Sequence, residues 1–280
     1  MEYFSTVRLL DGEQRPGTYT VGRNPPIILG HPEVKDNLKR IFNCTDNLFM
    51  PHLIEYQPHV VEKHQIAGSS FINVDFMWSY NYYHFLTECI PAILEINKSL
   101  PVRCKESKFK SALLRFFDIK EESSEGEMYV MKHIEPGNPS PQKINLIRNV
   151  VERKLKLEKV YGIIIRRAES YRSVLNHDAL LEIAKNRYPI EWKVFDSLSV
   201  EDTAILFSKA SVIIAPHGAG LTNMLFSPKG ITIIEFMDVQ DPNVCYWHLS
   251  EMLGNRYFMI PSYTANGNFI VDDRFTSINI

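Results

Sequence analysis

Residues 211–236 read SVIIAPHGAGLTNMLFSPKGITIIEF, and this stretch decides the fold. An apolar, β-branched run closes at Pro216. His217, Gly218, Ala219 and Gly220 follow as a turn, Leu221 opens a short amphipathic segment, and a second apolar run carries Glu235 near its end. Short apolar runs bounded by glycine and proline read as buried strands. Two of them joined by a helical segment predict a parallel strand–helix–strand unit. In an open parallel sheet, ligands sit beyond the carboxyl ends of the strands, which is where this turn falls. Gly218 and Gly220 allow close approach to the backbone, and a helix starting near Gly220 offers N–H groups and a positive dipole end to a phosphate. His217 adds a hydrogen bond or a positive charge. Glu235, at the same sheet edge, suits a bidentate grip on two ribose hydroxyls. Together these features read as a grip on a nucleotide diphosphate. The plainer alternative is a glycine turn with a surface histidine and a solvated glutamate.

The same alternation extends in both directions. VYGIIIRR, EWKVFDS and RYFMIP read as strands, whereas NHDALLEIAKNRY, SVEDTAILFSKA and CYWHLSEML read as helices. Ser199, with Asp202 three residues on, resembles a capping box. This half predicts a parallel sheet covered on both faces, of Rossmann type. The first half is mixed α/β and less regular. SSFINVDFMW and EMYVMKHI read as strands; FKSALLRFF and INLIRNVVERKL read as helices. SYNYYHFLTECIPAILEINKSL reads as a helix interrupted or kinked before Pro91. The Pro- and Gly-rich EPGNPSPQ at 135–142 is the linker candidate. These readings divide the chain into an α/β domain at 1–150 and a Rossmann-like domain at 151–261, with the tail 262–280 expected to pack back on the first.

Two further constellations carry chemistry. In IIIRRAESYRSVLN, Arg166 and Arg167 leave the end of a strand, and Arg172 and Asn176 follow before the next helix. Guanidinium groups at a strand terminus take phosphate oxygens bidentately; an isolated arginine pair is otherwise simply solvated. In NVDFMWSYNYYHFLTE, Asp75 interrupts an apolar stretch, and His84 and Glu88 lie four residues apart on one helical face. A buried carboxylate is costly unless paired or used, so Asp75 is the first candidate general base and His84 the next. A strand-end turn for Asp75 and a surface pair for His84 and Glu88 are the plainer readings. Trp78 and the tyrosines either line a sugar or belong to the core.

Composition excludes several classes. The 280 residues have a formal net charge of −2 and are 45% hydrophobic, which fits large apolar cores and not a general nucleic-acid or membrane-surface binder. No apolar run reaches the roughly 18 residues of a membrane span. The start, MEYFSTVRLLDGEQ, lacks the pattern of a signal peptide, so the expectation is a cytoplasmic protein. Cys44, Cys89, Cys104 and Cys245 are scattered, without a C-x-x-C pair, and read as thiols in a reducing compartment. The sequons at Asn43 and Asn97 read as chance. A G-x-G-x-x-G dinucleotide fingerprint would need glycine at 223, where the chain has Asn223, so a nicotinamide-dependent oxidoreductase is the weaker alternative. There is no D-x-D motif to clamp a diphosphate-bound cation, and no G-x-S-x-G or Walker motif.

YRSVLN, PHGAGLTNMLFSPKGITIIEF and NYYHFLTECIPAI resemble the three signature blocks of glycosyltransferase family 61, a group that includes plant xylosyltransferases and animal N-acetylglucosaminyltransferases. The resemblance runs over roughly residues 70 to 260. It implies a GT-B arrangement, two Rossmann-like domains facing across a cleft, with inversion at the anomeric carbon and no cofactor or metal. Arg166 or Arg167, Arg172 and Asn176 match the family's Arg-rich block. His217 to Leu221 match its diphosphate turn, Glu235 the acidic residue after it, and His84 the acceptor-domain histidine. The family usually has Ser-Arg where this chain has Arg166-Arg167. A compact chain of this kind also resembles the glycan-building enzymes of large algal viruses, for which the cytoplasm would be the host's. The implied donor is a UDP-sugar, UDP-xylose ahead of UDP-N-acetylglucosamine, and the implied acceptor is an oligosaccharide or glycoprotein glycan. Asp75 would take the acceptor proton, with His84 or Glu88 orienting the acceptor or standing in as base. A catalytically inactive sugar-nucleotide or glycan-binding module is the alternative from another class.

Overall fold

A computed structural model describes residues 5–9, 14–17, 27–28, 60–64, 69–73, 78–96, 101–105, 107–121, 126–132, 139–167, 172–238, 243, 245–262 and 268–271. Its strands, in chain order, are β1 (Ser5–Leu9), β2 (Gln14–Gly17), β3 (Ile27–Ile28), β4 (Val60–His64), β5 (Ser69–Asn73), β6 (Val102–Arg103) and β7 (Gly126–Lys132). They continue with β8 (Tyr161–Ile165), β9 (Trp192–Phe195), β10 (Ala210–Pro216), β11 (Thr232–Asp238) and β12 (Arg256–Ser262).

The larger sheet runs β2-β1-β3-β12-β11-β10-β8-β9. From β12 to β9 every pairing is parallel. Numbering those five strands by their order in the chain, they lie 2-1-3-4-5, a doubly wound order whose direction of winding reverses between the first and third strands. The expected parallel α/β sheet is therefore present. Every residue of β8 and β11 is buried, as expected of strands covered on both faces. One face carries Ile164, Val212, Ile214, Ile234 and Phe236 against the helix His177–Arg187 and the tail residues Phe269 and Val271. The other carries Ile163, Ile165, Ile213, Ile233 and Met237.

That second face also receives the helices of the first half. Phe85, Leu86, Ile90, Leu113, Ile144, Ile147 and Val151 share one continuous apolar core with it. The strands β1 to β3 join the larger sheet beside β12, so its strands are not confined to 151–261. Residues of the tail likewise sit on this sheet's side of the molecule. Phe269 bridges Val174, and the Phe269 N–H donates to the Ser173 carbonyl at 2.8 Å. Of the tail expected to pack back on the first domain, residues 268–271 are described, and there Phe269 and Val271 find their cover on the Ile164–Phe236 face. A separate sheet, β4-β7-β5-β6, belongs to the first half.

Local chemistry explains the elements. Ser199 accepts from the Asp202 N–H at 3.0 Å and donates its hydroxyl to the Asp202 carboxylate at 2.7 Å, starting the helix Val200–Phe207. The kink expected before Pro91 takes the form of a π-helical turn, Phe85–Cys89, in which the Ile90 N–H reaches back five residues to the Phe85 carbonyl. Pro91 has no N–H to continue an α-helical ladder, and the chain widens by one residue to meet it. Among the described residues no helix is long and apolar enough to cross a membrane. Cys89, Cys104 and Cys245 are thiols that form no disulfide among the described residues; Cys44 lies outside them.

Candidate functional site

The reversal in strand order falls between β8 and β10. In doubly wound sheets this is the point where helices leave to opposite faces and where ligands bind, outside the carboxyl ends of the strands. Arg166 and Arg167 follow β8, and His217 and Gly218 follow β10. The two arginines part company. Arg166 forms a bidentate pair with Asp196 at 2.6 and 2.7 Å, in solvent. Arg167 turns inward and donates from Nη1 to the His217 carbonyl at 3.0 Å. The Arg166 fork is filled by a carboxylate, and Arg167 is the member of the pair that lies against the turn after β10. Burial first, and the neighbouring charge of Arg172 second, hold the Arg167 guanidinium below its usual pKa, with Tyr246 acting the other way.

Arg172 therefore brings a second positive charge to the same place. Its backbone is left-handed, φ 70, which is uncommon for a non-glycine residue and clusters at functional sites. Asn176 does something else. Its side-chain N–H donates to the Val271 carbonyl at 2.8 Å, and its Oδ1 accepts from the Val271 N–H at 2.8 Å. Both ends of the Asn176 amide, read from the sequence as nucleotide-binding, hold the tail.

The turn after β10 runs into a 3₁₀ helix, Ala219–Phe226. A Cβ at Gly218 would come within 2.4 Å of Arg167 Nη1, so the glycine makes room for the chain's own guanidinium. Gly220 faces Ile165 in the same way, at 3.1 Å. The Leu221 side chain is core, and its N–H donates to the Gly218 carbonyl. That leaves Ala219 and Gly220 as the partly exposed members of the turn.

His217 is 7% exposed, and its Nδ1 meets Glu235 Oε1 at 2.5 Å. Glu235 is 0% exposed, and its other oxygen accepts from the Tyr257 hydroxyl. Burial and the Glu235 charge raise the Tyr257 pKa, so the phenol stays protonated and donates. Glu235, read from the sequence as a grip on two ribose hydroxyls, is turned inward. Side chains alternate along a strand, so Glu235 shares the face of Ile233 and Met237 and points into the apolar layer. What it holds is the His217 ring.

On the helical segment of the first half, His84 Nδ1 meets Glu88 Oε1 at 2.6 Å, with the histidine side chain 20% exposed. With Nδ1 engaged, Nε2 is the other ring nitrogen through which His84 can meet a ligand. Aromatic rings join this pair to the first one. Tyr83 lies 5.3 Å from His84 and 5.5 Å from Tyr246, and Tyr246 lies 5.0 Å from His217. Tyr82 donates to Asn223 Oδ1 at 2.7 Å, so the residue that breaks the dinucleotide fingerprint ties the segment to the 3₁₀ helix. Asp75 lies outside the described residues, two positions beyond the end of β5.

Three residues of this region escape sequence reading. Tyr257 and Tyr246 look like ordinary apolar members of a strand and a helix. Arg148, 1% exposed, donates to the carbonyls of Leu225 and Ser227 at 2.6 and 2.7 Å and satisfies the C-terminal end of the 3₁₀ helix. Its only signal is a cation placed in the apolar run INLIRNVV.

Comparison with known proteins points the same way. Over 102 residues the chain is 33% identical to the EGF domain-specific O-linked N-acetylglucosamine transferase of Drosophila melanogaster, a match covering 36% of this chain and 19% of that one. Over 113 residues it is 31% identical to the Mus musculus protein of the same name and 29% to that of Gallus gallus, covering 39% of this chain and 21% of each. The matched region thus spans about a fifth of the length of these relatives. The Glycosyltransferase 61 family model matches residues 82–234, which take in both histidine–glutamate pairs except the last residue, Glu235. Because that match covers more than half of the 280 residues, the chain belongs to glycosyltransferase family 61.

Proposed function

We propose that the protein transfers a sugar from a UDP-sugar to an acceptor hydroxyl with inversion at the anomeric carbon. The observation carrying this reading is the meeting of Arg167, Arg172 and the Glu235-held His217 at the switch point, with the His84–Glu88 pair two rings away. The diphosphate lies against the turn at Ala219 and Gly220. His84 Nε2 takes the acceptor proton, while Glu88 fixes the tautomer by accepting from Nδ1. The acceptor oxygen bonds to the anomeric carbon as the bond to the diphosphate breaks. Arg167, Arg172 and His217 answer the charge that accumulates on the leaving group, so the reaction runs without a metal or other cofactor.

Asp75 remains in the proposal as the rival base, and mutagenesis separates it from His84. The sheet β4-β7-β5-β6 belongs to the acceptor half, facing the donor sheet in GT-B fashion. For the donor, the relatives' names favour N-acetylglucosamine, and UDP-xylose is the second candidate.

A thermal-shift screen of nucleotide sugars, with and without EDTA, tests this. Stabilisation by UDP and by one UDP-sugar, unchanged on chelation, is the expected result. Response to nicotinamide dinucleotides but not to UDP would overturn it. A turnover assay with the stabilising donor separates the enzyme from an inactive binding module.

A further inference from the structure

Trp78 also has left-handed backbone, at φ 77. For a bulky aromatic residue this is an outlier, maintained only where the surroundings over-determine it. Here they do. The Asn81 N–H returns to the Trp78 carbonyl at 2.8 Å, and Asn81 Oδ1 accepts from the Tyr83 N–H at 2.9 Å. The turn is thus closed against the helix that carries His84, and Ser79 within it is buried. Yet Trp78 is 40% exposed and Tyr80 68%. Their ring centroids are 6.0 Å apart, and the indole lies 6.2 Å from the His84 ring with 30° between the planes. An indole needed for the core would be covered, and a solvated turn would place glycine or asparagine at a left-handed position.

We propose that Trp78 and Tyr80 form the platform on which a pyranose ring of the acceptor rests, so that the acceptor is a saccharide and not a serine or threonine of a protein. One face of a pyranose is lined by C–H groups and its rim carries hydroxyls. The exposed rings cover the first, and the rim then reaches His84, about one ring width away. A side-chain hydroxyl has no such face and would leave both rings in water. The inference rests on the transfer reading of His84, but the platform binds without donor and is tested without it.

The test titrates the full chain with methyl glycosides of xylose, glucose, galactose and N-acetylglucosamine while following tryptophan fluorescence. Of the three tryptophans, Trp192 and Trp247 are buried, so a ligand stacking on an exposed indole reports through Trp78. At least one glycoside should give a saturable change in the millimolar range. Trp78→Gly should lower affinity for it, measured by calorimetry, by about tenfold or more. Its melting temperature should hold or rise, because glycine relieves the left-handed backbone, whereas a structural role for the indole predicts a fall. Trp78→Tyr should keep most of the affinity. No saturable response to any glycoside, or equal affinity in Trp78→Gly, would overturn the proposal. So would transfer to a folded polypeptide that is indifferent to Trp78. UDP binding is measured separately: its loss in the unmodified chain refutes the donor reading, and the saccharide titration still decides the platform.

Discussion

Arg167 Nη1 donates to the carbonyl oxygen of His217 at 3.0 Å, across a position where any side chain at 218 would collide with it. One contact therefore joins the end of β8 to the turn after β10. The glycine that looks like an opening for a ligand is filled by a cation that would face one.

This separates two adjacent arginines. Arg167→Ala should reduce UDP-sugar turnover by on the order of 10²-fold, as for loss of one donor to a developing charge. Arg166→Ala removes only an exposed pair with Asp196, worth about 0–1 kcal/mol, and should leave turnover close to normal. Steady-state kinetics on the two variants checks this, and the reverse ranking would refute the assignment.

Glu235 should behave as a buried anchor. Glu235→Ala strands His217 and Tyr257 in the core and should cost about 3–5 kcal/mol in denaturant unfolding. Glu235→Gln should cost less stability but weaken UDP binding, because His217 loses the carboxylate that holds its ring. A Glu235→Ala chain of undiminished stability would place the carboxylate in solvent after all.

The base is decided by comparison. His84→Ala should lower kcat by about 10²–10⁴-fold with UDP affinity unchanged, and Glu88→Gln should lower it less while shifting the pH profile. Asp75→Asn is the control. If it abolishes transfer while His84→Ala retains it, the role passes to Asp75.

Arg148 acts from behind the site. Arg148→Met keeps the bulk of the side chain but leaves the Leu225 and Ser227 carbonyls without their donor. A loss of about 2–4 kcal/mol in stability is expected from two buried acceptors, together with weaker UDP binding as the 3₁₀ helix loosens. Calorimetric binding and urea unfolding measure the two effects.

One buried base sets an acid limit. Burial drives His248 from a pKa of 6.5 down to about 3, so it is neutral in the fold. Between those values the unfolded chain holds the extra proton, and stability must fall as pH drops through about 6.5 towards about 3. His248→Phe should flatten that part of a melting-temperature profile; an unchanged slope would assign the acid sensitivity to other groups.

The strands and helices of residues 160–262 were legible from apolar runs, glycine turns and caps, because local periodicity reports which face of an element is covered. The same stretch placed His217 and Gly218 at a strand's carboxyl end, and the spacing of four put His84 beside Glu88. What sequence could not decide was direction. Arg166 and Arg167 are neighbours in the chain, but only the packing of β9 beside β8 supplies Asp196 to one and leaves the other to the turn after β10. Glu235 stands near a strand end, but the sheet's alternation turns it inward onto Tyr257. Asn176 sits among arginines, yet the tail at Val271, far along the chain, claims its amide. Residue types and spacings prescribe which elements form. Which neighbour each polar side chain meets depends on contacts between distant segments, and those exist only once the chain has folded.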